Sequence, residues 1–133
     1  MQRCVLIGLL VFAVGCGSDQ VPTYPVRGRV LFEDGTPVRH GTIEFTSLDH
    51  ATTASGTIDH DGKFVLGTYT LDDGAAAGEH EGIIVQIVVN DGSFTHTIDH
   101  GDPVPPKYAQ YESSPLKASV KADQENALAV TIE

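Results

Sequence analysis

Glycine-containing turn pairs cut this chain into pieces too short for ordinary helices. Asp34-Gly35, His40-Gly41, Asp61-Gly62 and Asn90-Asp91-Gly92 separate runs rich in Val, Ile, Thr, Tyr and Phe. Asp-Gly reverses a chain readily, because Gly reaches left-handed backbone at no steric cost and Asp hydrogen-bonds its own turn. Between the turns the side chains alternate. Val26, Gly28, Val30 and Phe32 fall on one face of 24–32, and Ile43 and Phe45 point inward from 42–46. Period-two alternation with β-branched residues specifies half-buried strands.

Further strands are predicted at 55–58, 63–66, 83–89, 116–120 and 127–132. Residues 83–89, Ile-Ile-Val-Gln-Ile-Val-Val, are apolar on nearly both faces, which predicts a central strand. Residues 72–82 read as a polar, Gly- and Ala-rich loop, and Asp123 to Asn126 as a turn. Asp102-Pro103, Pro105-Pro106 and Pro115 keep 99–116 out of a central strand. About seven or eight short strands with turns every ~8–12 residues predict an all-β antiparallel β-sandwich. Arg27, Arg29, Glu44 and Lys121 are the expected guards of its edges.

The N-terminus is of another kind. Arg3 precedes an apolar run, Leu9 to Gly15, that ends at Cys16 and a polar Gly17-Ser18-Asp19. A bilayer crossing takes ~20 apolar residues, so this shorter run reads as an export signal. A Cys directly after Ala13-Val14-Gly15 resembles a bacterial lipoprotein signal, in which the thiol is lipidated and becomes the new N-terminus. That resemblance implies a signal peptide at 1–15, a tether at 16–23 and a domain at 24–133. It also implies an exported protein, lipid-anchored at the periplasmic or outer face of a bacterial membrane. Cys4 would leave with the signal and Cys16 would carry the lipid, so the domain keeps no thiol for a disulfide, a metal or a nucleophile.

Processing would remove Arg3 and no acid, leaving 7 basic against 18 acidic residues, a net charge of −11. Such a surface repels nucleic acid. The acids are scattered, as on a solvated surface.

Val26-Arg-Gly-Arg-Val-Leu-Phe-Glu-Asp-Gly-Thr-Pro-Val resembles the opening of carboxypeptidase regulatory-like, or transthyretin-like, domains: a V-x-G-x-V strand, a turn, then G-x-P-[VL]. Ala54-Ser-Gly-Thr-Ile-Asp-His-Asp-Gly-Lys-Phe-Val-Leu looks like their T-D-x-D-G-x-F strand-turn-strand. Gly78-Glu79-His80 stands where the family has a G-x-[YH] step into a strand. The stretches 104–109 and 113–120 are similar to small bacterial lipoproteins carrying one such domain. The resemblance implies a non-catalytic binding or structural module that meets an envelope protein or a glycan. It supplies fold rather than activity.

Few residues invite chemistry. Asp59-His60-Asp61-Gly62 is half of a calcium loop, but a hard cation takes ~6–8 oxygens and the rest of that pattern is missing. The competing reading is a type I′ turn at Asp61-Gly62. His96 and His100 are the closest-spaced pair of the six histidines. On a strand they would stand ~13 Å apart, too far for one ion, so the histidines read as exposed turn residues. A cation or small-ligand carrier built from the acidic and histidine loops is the alternative function. No G-x-S-x-G elbow supports a hydrolase, and no Gly-rich loop opens a helix to cradle phosphate. No cofactor is expected. Lys107, Tyr108 and Tyr111 in the Pro-rich loop are candidate ligand or partner contacts, as a stacking platform. The opposing reading has Tyr108 pinning that loop to the domain.

Overall fold

The computed structural model describes residues 15, 17, 19–86 and 101–133. The protein is all-β. In chain order its strands are β1 (Thr23–Tyr24), β2 (Val26–Phe32), β3 (Gly41–Ser47), β4 (Thr53–Ile58), β5 (Lys63–Val65), β6 (Ala75–Ala76), β7 (Gly78–Val85), β8 (Leu116–Val120) and β9 (Asn126–Ile132). One 3₁₀ turn, Pro106–Ala109, precedes β8. Among the described residues no helix is long and apolar enough to cross a membrane.

Two sheets carry the structure. One has the order β4-β3-β7-β8 and is wholly antiparallel; the other has the order β5-β2-β9. A two-stranded ribbon pairs β1 with β6. In the second sheet β2 meets β9 in parallel, Val26 opposite Asn126 through Phe32 opposite Ile132. This corrects the expectation of antiparallel pairing throughout. Alternation fixes which face of a strand is buried and is silent on its direction.

Inner faces of both sheets feed one hydrophobic cluster. Val26, Val30, Phe64 and Ile132 come from the smaller sheet, and Ile43, Phe45, Ile58, Ile84 and Val120 from the larger. Gly28 lies where β2 passes under the Phe64 ring and the Leu128 carbonyl, and a side chain there would overlap both. The sheet closes over the core at that point because the residue has no Cβ.

The turn chemistry differs in detail from expectation. At Asp59–Gly62 the Gly62 amide donates to the Asp59 carbonyl at 3.0 Å, and the Asp59 amide to the Lys63 carbonyl at 2.9 Å. Only Gly62 has positive φ, +79°; His60 and Asp61 do not. A type I′ turn needs positive φ at both central residues. This is therefore a type I turn closed by a left-handed Gly, and Phe32 to Gly35 repeats the pattern with Gly35 at +87°. Asn126 organises the last turn. Its side chain accepts from the Lys121 amide at 2.8 Å and donates to the carbonyls of Lys121 and Gln124 at 3.0 and 3.1 Å.

Three strand expectations change. β7 begins at Gly78, inside the stretch read as a loop. It lies between β3 and β8, as a central strand should, but Val85 is exposed and Ile83 half-buried, so only one face is covered. The remainder of the run at 87–89 lies outside the described residues. Arg27 and Arg29 sit on β2, and Glu44 on β3, which are inner strands; of the expected edge guards only Lys121, next to β8, adjoins an edge.

Candidate functional site

The Asp59-His60-Asp61 cluster is the one group of metal-capable side chains among the described residues, with donor atoms within 4.8 Å of one another. All three residues are exposed, and His60 Nε2 lies 3.4 Å from Asp61 Oδ2. Asp59 Oδ1 is already occupied, accepting from the amides of Asp61 at 2.8 Å and Lys63 at 2.9 Å. Slight burial would raise the Asp59 carboxyl, but these amides, with His60 and Lys63, hold it below its ordinary value. The carboxylate is thus a turn brace. A cation there would meet only three exposed side-chain donors, far short of a calcium shell. Thermal melts with and without chelator should therefore share one midpoint, since a ligand held only by the folded state would raise it. A fall restored by one particular ion would show that the turn is a site. Cys16, His96 and His100 lie outside the described residues.

The aromatic pair of the Pro-rich loop serves the fold. Tyr108 is buried in the core cluster, and its hydroxyl accepts the Glu133 amide at 3.0 Å. Lys107 Nζ covers the ring at 5.1 Å. Tyr111 is half-buried over the outer face of β3; its hydroxyl donates to Glu44 Oε1 at 2.7 Å and accepts from Thr46 Oγ1 at 2.8 Å. Burial, reinforced by Glu44, pushes the Tyr111 hydroxyl up to about 12. Tyr108 is therefore no exposed stacking surface, whereas Tyr111 stays half-buried and Lys107 is exposed with its ammonium over the Tyr108 ring. The physical reason is that each tyrosine combines a large apolar body with a hydroxyl whose partner lies inside the fold.

His80 departs from the expectation of exposed turn histidines. It sits on the inner face of β7, buried, with Nδ1 3.1 Å from the Gly78 carbonyl. That contact selects the tautomer with the proton on Nδ1. Burial lowers its pKa, opposed by the Gly78 carbonyl and by Asp49 and Glu79. The unfolded chain, at the ordinary value of 6.5, therefore takes a proton that the folded chain resists. Stability is complete above that value and is lost as pH falls below it. The melting midpoint should decline from about pH 7.5 to about pH 5.5, and His80→Leu should flatten the decline. Asp59 and Asp73 are lowered from 3.8, so their losses come at more acid pH.

A feature invisible in the sequence is an open groove of about 920 Å³ between β4, β5 and the loop at 67–74. Ser55, Thr57 and Thr70 line it with hydroxyls, Asp59 and Lys63 add charge, and Val65 and Leu71 add apolar surface. The loop wall is braced from within. Asp73 Oδ1 accepts the Thr68 amide at 2.6 Å, and Oδ2 accepts those of Tyr69 and Thr70 at 3.1 Å each. Partial burial would raise this carboxyl, but the three amides outweigh it and hold the group low. Thr68 Oγ1 closes the loop onto the Gly74 carbonyl at 2.7 Å. Thr68 followed by Asp73-Gly74 was the available signal, since an Asp ahead of Gly commonly caps a turn through backbone amides.

No protein-family model, curated protein or solved structure matches the chain.

Proposed function

We propose that this protein is a lipid-anchored, non-catalytic binding or structural module of the bacterial cell envelope, its two sheets forming a transthyretin-like β-sandwich. The observation that carries the reading is the groove of about 920 Å³. A concave surface mixing hydroxyls with a few apolar side chains suits a glycan or an extended peptide. The apolar run ending at Cys16 supports an address outside the cytoplasm, and the acidic surface keeps the domain soluble and away from nucleic acid. Thr57→Arg tests the groove, because Thr57 is exposed in its lining and a long charged side chain there obstructs it. Crosslinking in intact cells should recover an envelope protein or glycan with the wild type and lose it with Thr57→Arg at an unchanged melting midpoint. Equal recovery by both would overturn the groove as the contact surface.

A further inference from the structure

The N-terminal tether leaves the domain beside two loops that each expose one leucine. The Val21 amide donates to the Tyr69 hydroxyl at 3.0 Å. Asp19 and Val21 share a surface cleft with Ala51, Thr53, Thr68 and Tyr69. Two loops thus flank the tether: residues 48–52 between β3 and β4, and residues 67–74 between β5 and β6. They carry the two most exposed large apolar side chains among the described residues, Leu48 at 55% and Leu71 at 94%. A single exposed leucine is ordinary on any surface. Here the two extremes fall on the loops beside one chain exit. Leu71 is also held out on a stiff support, with the Asp73 carboxylate gripping three amides of its loop.

Cys16 precedes Val21 by five residues. Fully extended, those residues span at most ~17 Å. A lipid on Cys16 therefore keeps this end of the domain close to the headgroups. We propose that this end docks on the bilayer surface, with Leu71 entering the boundary between headgroups and acyl chains and Leu48 beside it. The occupant of the apolar end is lipid, and the proposal rests on the anchored reading above. Asp19, Asp49 and Asp72 lie on the same tether and loops, so zwitterionic headgroups suit it and anionic ones oppose it. Docking also sets the groove's direction. Leu71 lines one end of the groove while Asp59 and Lys63 line the other, so the groove would lead away from the membrane surface.

The chain contains no Trp, so one introduced Trp reports alone. Lipidated Leu71→Trp protein is reconstituted into phosphatidylcholine vesicles whose acyl chains carry bromine, a contact quencher. Val85→Trp, at the opposite end of β7 and also exposed, is the comparison. Both positions face solvent, and equal melting midpoints establish that both variants fold. The expected result is blue-shifted emission and strong quenching at position 71 with neither at 85. Phosphatidylglycerol vesicles should weaken the quenching at 71. Vesicle-bound protein in which both reporters emit alike, unquenched, overturns the docking while leaving the anchor standing. Protein that fails to float with the vesicles overturns the anchor, and the docking with it.

Discussion

Ile84→Asp should abolish cooperative folding. Ile84 is 1% exposed and lies on β7 opposite Ile43 of β3, in the cluster shared by both sheets. Among the described residues no lysine or arginine is buried in the core to pair with a carboxylate there. Burying it unpaired costs several kcal/mol, against a total stability of ~5–15 kcal/mol for a domain. Loss of the calorimetric transition and of near-ultraviolet dichroism is the expected reading. Ile84→Val, by contrast, should cost only ~0.5–1.5 kcal/mol. Val85→Asp, one residue along on the exposed face, should leave a cooperative melt. A wild-type melt for Ile84→Asp would mean that β7 does not occupy the core as described.

Cys16→Ser should shift the protein from the membrane fraction to the soluble one, or stop its processing. Cys4 lies within the expected signal, so Cys16 is the one thiol the mature chain would keep. A serine hydroxyl lacks the thiolate that makes cysteine the nucleophile. Membrane affinity then falls by the burial of the acyl chain, ~0.8 kcal/mol for each methylene. The acidic domain offers little attraction to replace it. Fractionation with a radiolabelled fatty acid decides the matter. A serine variant that is cleaved and sediments like the wild type refutes the lipoprotein reading.

Much of the strand pattern was legible because period-two alternation and Asp-Gly turns are local signals. The expected strand at 116–120 coincides with β8, and those at 42–46 and 55–58 fall inside β3 and β4. The start of β7 was hidden by its composition. His80 and Gly82 occupy its buried positions, and neither reads as an apolar side chain. Gly82 fits because the Phe45 ring fills the space that its Cβ would take. The parallel course of β9 beside β2 was beyond reach for the same kind of reason: direction depends on how the chain returns, which no window of residues contains. Tyr108 could be read either as a contact or as a pin, and the outcome turned on the Glu133 amide at the far end of the chain. The groove was the least legible feature. Its walls come from β4, β5 and a loop, each unremarkable as sequence, and only their packing makes a concave surface.

The parallel union of β2 and β9 bears on how the chain can be made. The Asn126 side chain reaches the Pro25 carbonyl across 101 positions of sequence. Strand β2 leaves the ribosome well before its longest partner, β9, exists. Until then it has only the three-residue β5 beside it. Contacts this distant must be ordered before they return any stabilisation, so they form late. Segment-by-segment folding during synthesis is thereby blocked for the smaller sheet. For a chain proposed to be exported, the delay fits: a polypeptide that has to thread a narrow channel keeps β2 without its longest partner until β9 is through.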